Sequence, residues 1–547
     1  VPVLGTGASF SADEGAAIIQ AHRLSTDRGW VVEHPLPEAD PTEVNYPLEL
    51  STRGARGTAS FAKHPLYALL LAGADRVGGV TAMVLLSVAG TVTAAALAAA
   101  LAARMGAAAS FGHGAGLARP ALWVVGLASP LTFDGYLVIA HTLGAAAAAG
   151  AVLFAVRALE DHRALASVAG VAVCIALAVL VRNEAVLFAL GLGVASGAVA
   201  VARRHRAAAG VAMASVLAAA GAHLGEQEWI RRILGGSVVG LPGGPGATSG
   251  FLAGRLKSFT LTWLRPGYGG RPLVEAALLL MLCALAVGVV AARRHPGDRR
   301  PVVALAAGAA GAALLALAVE PTNLVPGLLV AFPVAAAGLV AVGARRREAL
   351  AGLAARVAFG TFAVFAAAVV ATQYVTGGSG EWGGRYFALG LPVLAPVLLL
   401  ALASLGRALP PSARTAAAAA LVTCAVALTV MGLAGLRDIH RFTARLQETA
   451  AQAGRELGPR PVMVATHAAI PRLAWATFDD QRWLLARPGG LDSLVRRLHG
   501  AGVDRLVLVT DQRERDTTEL GSGVHVVSRR TPSGGPNWDV LILRIGP

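Results

Sequence analysis

Charge is what this sequence has least of. Charged residues are 14% of its 547, about half the share found in an ordinary soluble domain, while hydrophobic residues are 55%. So little charge cannot clothe the three or four water-exposed domains that this length would otherwise hold, and the chain reads as a membrane protein. Lysine is almost missing: of 47 basic residues only Lys63 and Lys257 are lysines. The net charge of +15 therefore comes from arginines scattered between apolar runs, a mark of topology and not of a nucleic-acid footprint. Cysteine is scarce too. Cys174, Cys283 and Cys424 all fall inside apolar runs, so no disulfide framework holds the polar parts, and the three read as small hydrophobes. There is no Walker-type loop, Cys/His metal spacing, Gly-x-Ser-x-Gly nucleophile or dinucleotide fingerprint, so nucleotide-sugar chemistry in the cytoplasm has no support. The chain starts Val1-Pro2-Val3-Leu4 without an initiator Met, and one more apolar segment is expected upstream.

What is present is a train of apolar runs of about 17 to 25 residues, the length that spans a bilayer. Twelve are placed near 79–103, 118–133, 136–156, 164–181, 185–201, 207–224, 272–292, 301–319, 324–342, 349–372, 386–405 and 415–435. Many are rich in Ala and Gly, which lets helices approach closely. Their connections fall into two alternating classes. One carries Arg104 and Arg119, Arg157 and Arg163, Arg203, Arg204 and Arg206, Arg293, Arg294, Arg299 and Arg300, Arg345 to Arg347, then Arg407 and Arg414, and is assigned to the cytoplasm. The other holds Asp134, the Arg182-Asn183-Glu184 turn, a 225–271 loop, the Glu320 to Asn323 turn and a 373–385 loop. It is assigned to the outside, together with residues 1–78 and everything after 436.

The expected fold class is a polytopic α-helical membrane protein with about twelve visible spans. Residues 1–78 form a large first extracytoplasmic loop, 79–436 the transmembrane part, and 437–547 a small extracytoplasmic α/β domain. In the first part, Ser11 is a candidate N-cap for a helix with Asp13 and Glu14 in its first turn. His64-Pro65 opens a short apolar helix, Leu66 to Val77, suited to the interface. In the last part a polar helix is expected over 438–457, strands at Val462 to Ala465 and Leu506 to Val509, an amphipathic helix at Leu491 to His499, and a closing pair of strands at Val524 to Val527 and Val540 to Ile545.

The span interiors are nearly free of ionisable groups. Asp13, Glu14, Lys63, His64, Asp134, Arg182, Glu184, Glu320, Glu381 and Arg385 all fall at the outer ends. A secondary transporter would carry ionisable residues or broken helices near the bilayer midplane, and neither is read here. An outer polar pocket suits a substrate with its tail in the bilayer and its polar head above. Adjacent carboxylates on a helix point about 100° apart, so one of Asp13 and Glu14 can face a substrate while the other supports the helix. A shielded carboxylate can act as general base on a hydroxyl; the same pair is also what a helix N-terminus prefers. Arg385 is a bidentate phosphate ligand or a snorkelling anchor beside the aromatic Tyr386-Phe387, and Lys63 a point charge for the same phosphate. Arg182 and Glu184 read equally as an interfacial ion pair, Asp134 as an ordinary cap, and His141 and His467 as buried partners.

Four motifs in order, Ser11-Ala12-Asp13-Glu14-Gly15, Phe61-Ala62-Lys63-His64-Pro65-Leu66-Tyr67, the Arg-Asn-Glu turn at 182–184, and Gly384-Arg385-Tyr386-Phe387, make residues 8–405 resemble the GT-C glycosyltransferases. The nearest branch holds protein mannosyltransferases and lipid A aminoarabinose transferases. The resemblance implies transfer of a sugar from a polyprenyl-phosphate carrier to an acceptor on the outer face of the cytoplasmic membrane, with inversion. It implies Asp13 as catalytic base with Glu14 supporting the site, and Lys63 and Arg385 on the donor phosphate. Asp134, Arg182, Glu184, His64, Glu381 and Tyr386 are left as candidates for sugar hydroxyls or a divalent cation, Mg or Mn, which some relatives use and others do not. The implied partners are the lipid-linked donor, membrane lipids and an envelope acceptor, whether polysaccharide, protein or lipid, with no nucleic acid. Two features depart from the pattern: the Arg of the aminoarabinose branch three residues after the acid falls on Ala16, and His64 stands between Lys63 and Pro65. The C-terminal part matches nothing in the family. A flippase of lipid-linked sugars and a noncatalytic envelope scaffold are the competing readings.

Overall fold

A computed structural model of the chain describes residues 7–48, 52–54, 56–61, 63–108, 115–160, 164–235, 251–267, 271–295, 297–322, 326–372, 382–511, 523–532 and 538–546. A short helix, α1 (Ala12–Ser25), and a two-stranded ribbon, β1 (Thr52–Gly54) and β2 (Gly57–Ala59), precede the bundle. The bundle runs α2 (Pro65–Ala108), α3 (Ala115–Leu127), α4 (Pro130–Asp134), α5 (His141–Glu160), α6 (Ala164–Val181), α7 (Glu184–Arg203), α8 (Arg206–Leu234), α9 (Phe251–Phe259), α10 (Pro272–Arg294), α11 (Arg299–Val319), α12 (Leu328–Ala331), α13 (Pro333–Ala344), α14 (Arg346–Ala349), α15 (Leu353–Thr372), α16 (Leu391–Arg407) and α17 (Pro411–Arg455).

Among the described residues ten helices are long and apolar enough to cross a membrane, and two shorter apolar ones, Gly116–Leu127 and Pro333–Ala344, take the two remaining places of the expected twelve. At about 1.5 Å per residue those two reach only ~18 Å, short of a hydrocarbon core of ~30 Å. Each belongs to a broken helix. α3 stops before Ser129, whose hydroxyl accepts from the Leu131 N–H, and Pro130 starts α4; Phe332 interrupts the path from α12 to Pro333 at the head of α13. Proline lacks the N–H that would carry the helix through. The expectation of unbroken spans is corrected at these two points.

Small residues set the helix spacing, as the Ala/Gly content implies. A methyl on Gly191 of α7 would lie 2.5 Å from the Thr361 carbonyl oxygen of α15, and one on Gly150 of α5 would lie 3.1 Å from the Cys174 sulfur of α6. In α2, Gly78 and Gly79 leave helical geometry, Gly79 at φ +60°, and so divide the stretch expected as a separate short helix from the span that follows. α17 is one helix of 45 residues. The polar helix expected over 438–457 is its continuation, because no Gly or Pro falls between Leu436 and Phe442 to stop it.

α17 feeds directly into a five-stranded sheet of β3 (Val462–Ala465), β4 (Arg482–Leu485), β5 (Arg505–Asp511), β6 (Val524–Arg530) and β7 (Trp538–Ile545), in the spatial order β4-β3-β5-β7-β6. β4, β3 and β5 are parallel; β7 is antiparallel to β5 and to β6. β4 is absent from the sequence reading because its four residues show no alternation. α18 (Ile470–Leu473) lies between β3 and β4, and α19 (Leu491–Gly500) between β4 and β5. One sheet face packs on Leu494, Val495 and Leu498 of α19 together with Leu36 and Ala39, the other on Phe442, Leu446 and Ala450 of α17 together with Ile19, Val32, Tyr46 and Leu48. Asn45 exchanges two hydrogen bonds with Leu485, its side-chain amide donating to that carbonyl and its own carbonyl accepting that N–H, each at 2.8 Å. The two ends of the chain thus build one body against one end of the bundle.

Candidate functional site

The site grows from the first turn of α1. Ser11 Oγ accepts the Glu14 N–H at 3.3 Å, so the N-cap stands where the sequence puts it. Glu14 is buried, and its carboxylate accepts from the Val138 N–H at 2.6 Å and the Phe10 N–H at 2.5 Å. It fastens α1 to the segment between α4 and α5. Asp13 points elsewhere: its side chain is 52% exposed, and Oδ2 lies 3.2 Å from Nη1 of Arg385. The acidic pair therefore divides its work as the 100° offset requires, one acid inward and one toward solvent.

Arg385 reaches this point because two glycines precede it. Gly383 and Gly384 have φ of +70° and +65°. A Cβ on Gly383 would sit 2.3 Å from Cγ of Pro130, and one on Gly384 2.7 Å from the Thr262 carbonyl oxygen. Only glycine fits there. The Gly383 N–H donates to the Pro326 carbonyl at 3.0 Å, so the turn is cradled by both broken helices. Beside it Trp382 stacks on Phe133 at 5.9 Å between centroids, and Phe133 meets Phe10 edge-on at 5.4 Å. The guanidinium of Arg385 lies 5.2 Å from the centre of the Tyr386 ring.

Electrostatics tie the remaining cations to Asp13. Surrounding protein would by itself raise the Asp13 carboxyl, but Arg385, Lys63 and Arg472 outweigh it and hold it below the usual carboxylate range. Lys63 is exposed, yet desolvation by the surrounding protein pushes its ammonium below its ordinary value, aided by Arg182 and Arg385 and opposed by Asp13 and Glu184. In the turn between α6 and α7, Arg182 binds Glu184 through two hydrogen bonds, Nε to Oε2 at 2.9 Å and Nη2 to Oε1 at 2.6 Å, with both side chains nearly enclosed.

Asp13, Lys63, Arg182, Glu184, Arg385 and Tyr386 thus form one electrostatic neighbourhood. Two other candidates do not. His64 is buried with Nδ1 3.0 Å from Oε1 of Glu226 on α8. Asp134 is fully buried, its Oδ2 3.6 Å from Nδ1 of His141. Glu381 lies outside the described residues. Among the described residues no group of three or more His, Cys, Asp or Glu is placed to hold a metal ion. Two participants escaped the sequence reading. Glu226 carries no motif, and Arg472 follows an unremarked Ile470-Pro471, so only the fold brings either into view.

Near the turn that bears Arg385 runs an apolar groove of about 520 Å³, lined by Phe251, Arg255, Phe259, Trp263, Phe359 and Phe362 among others. Trp263 meets Phe387 edge-on at 5.0 Å, which joins the groove to the turn bearing Arg385. A separate cavity of about 400 Å³, bordered by Arg407 and Arg414, lies at the other end of the bundle.

No protein-family model and no curated protein matches the sequence. The fold is similar to the solved structure of ArnT from Cupriavidus metallidurans in the apo state, with a TM-score of 0.51, 11% identity, and coverage of 99% of this chain and 96% of that one. A structure of ArnT from the same organism bound to undecaprenyl phosphate aligns with a TM-score of 0.49 and 12% identity, over 99% and 95%. ArnT is an aminoarabinose transferase of the GT-C superfamily. At this identity the likeness is one of fold: the chain is a multi-pass membrane protein of that architecture, with a small C-terminal sheet.

Proposed function

We propose that this protein is a glycosyltransferase that moves a sugar from a polyprenyl-phosphate-linked donor to an acceptor hydroxyl, at the extracytoplasmic face of the cytoplasmic membrane. The observation that carries the reading is the meeting of Asp13 with Arg385, a carboxylate held ionised beside a guanidinium able to bind phosphate. Asp13 takes the proton of the acceptor hydroxyl as its oxygen attacks the anomeric carbon. The bond from that carbon to the phosphate oxygen breaks, and the electron pair leaves with the lipid phosphate. One displacement inverts the carbon. Arg385 and Lys63 stabilise the charge that grows on the leaving phosphate, which needs no second carboxylate as acid.

The Asp13–Arg385 contact also explains how a carboxylate held below its ordinary pKa serves as a base. An arriving donor phosphate competes for Arg385, relieves Asp13 of that pairing and raises its basicity when the substrate is in place. Glu14 positions Asp13 through α1. Arg182, Glu184 and Tyr386 line the approach and are assigned to sugar hydroxyls. The groove along Trp263 and Phe259 suits the isoprenoid tail. A flippase is the second reading, favoured by the broken helices at Ser129 and Phe332.

The test is transfer by purified protein supplied with radiolabelled polyprenyl-phosphate sugars and an envelope extract. Asp13→Asn is expected to lower the rate by about 10² to 10⁴-fold while donor binding persists. Equal rates in both proteins would remove Asp13 from the mechanism. Donor translocation across vesicles without transfer would establish the flippase.

A further inference from the structure

α1 is gripped from two sides. Ala17, Ile18 and Ala21 pack with Tyr67, Leu71 and Met83 of α2, while Ile19 enters the core of the C-terminal sheet with Phe442, Leu446 and Ile470. At Gly15 the helix touches α18 directly: a Cβ there would lie 2.1 Å from the Arg472 carbonyl oxygen. α18 is itself held, since the Gln447 amide of α17 donates to the Leu473 carbonyl at 2.5 Å. Trp475, just beyond, packs against both cores. At the far end of α1, Arg23 pairs with Asp479, and Arg28 lies 3.2 Å from the same carboxylate.

Arg472 is only 2% exposed. Its positive field reaches Asp13. We propose that Arg472 is a positioning residue for the transfer reaction, by which the C-terminal unit holds Asp13 in line for the acceptor hydroxyl. This rests on Asp13 being the base. It gives the C-terminal unit, which matches no motif in the sequence, a part in the chemistry.

The charges around Asp13 come from several elements. Arg385 precedes α16, Lys63 precedes α2 and Arg472 lies in α18, while the Arg182–Glu184 pair acts through Lys63. Glu14 is turned to the Phe10 and Val138 amides, and His22 with Asp75, like Arg23 and Arg28 with Asp479, lies at the other end of α1. Loss of the Arg472 charge lets the Asp13 pKa rise toward its ordinary value, so the base is protonated at higher pH and the acid limb of kcat/KM moves upward.

The experiment compares Arg472→Gln and Arg472→Lys in the transfer assay across pH. In the Gln variant kcat is expected to fall by roughly 10 to 100-fold with the donor KM within about threefold. Its acid limb moves to higher pH, and the Lys variant recovers most of both. A folded Gln variant with the wild-type limb, or a loss of rate that Lys does not repair, would overturn the proposal. Gly15→Ala provides a second arm if Arg472→Gln does not fold: it displaces α1 from α18 with every charge kept, and should lower kcat more than donor affinity. Unchanged kcat there would also overturn it. A wild-type protein that transfers no sugar from any donor would instead overturn the assignment of Asp13.

Discussion

Arginine crowds both ends of this bundle, and the two ends use it differently. At the end away from α1 the side chains reach water: Arg104 pairs with Glu160 at 2.8 Å with each about a third exposed, and Arg345 pairs with Glu348 one helical turn away. At the end that carries α1, Arg182 and Arg385 are 12% and 19% exposed, and their partners are fixed by turns with little freedom. A hydrated guanidinium reports topology; an enclosed one opposite a carboxylate is held by its partner. Residue type alone does not separate the two. Enclosure and partner do.

Removing single arginines sharpens the contrast. The largest effect is expected from Arg385→Ala, which should cost about 10² to 10³ in kcat/KM by loss of one donor to the leaving phosphate. Its acid limb should also move to higher pH, because Arg385 lowers the Asp13 pKa. A depressed carboxylate contributes stability above its unfolded value near 3.8 and loses it as the pH falls through its folded value, so the stability deficit of the same variant should be full at neutral pH and shrink in acid below about pH 4. Next is Arg182→Ala, which leaves Glu184 buried without its bidentate partner and should lower unfolding stability by about 3 to 5 kcal/mol, read as a drop in Tm in detergent. The smallest is Arg104→Ala at the other end, below about 1 kcal/mol with transfer unchanged. Equal losses from Arg104→Ala and Arg182→Ala would erase the distinction between the two ends.

Legibility in the sequence follows the range of the interaction. Spans are legible because apolar length is a local property, and the acidic pair is legible because an N-cap and its first turn lie within four residues. The Gly383-Gly384 pair next to Arg385 is likewise on view, although its reason, the closeness of Pro130 and Thr262, is not. What the sequence hides is contact at a distance. Lys63 and His64 are neighbours in one motif, yet one is exposed within the field of Asp13 and the other is buried against Glu226. Ser129-Pro130 and Phe332-Pro333 sit in apolar runs that hydropathy reads straight through, so the two breaks appear only when the chain is folded. Arg472 has no local signature at all, because its meaning comes from Gly15 at the opposite end of the chain.

The unbroken course of α17 has a mechanical consequence. Its 45 residues make a rod of about 68 Å, more than twice the thickness of the hydrocarbon core, with the sheet at its end and Gln447 of the same rod holding α18. A thinner or thicker bilayer is met by a change in helix tilt. With no hinge along the rod, that tilt is passed to the sheet and from there to α18 and α1. On the role proposed for Asp13, its alignment then follows membrane thickness, and the rate of the same purified protein should vary with the acyl-chain length of the bilayer that holds it.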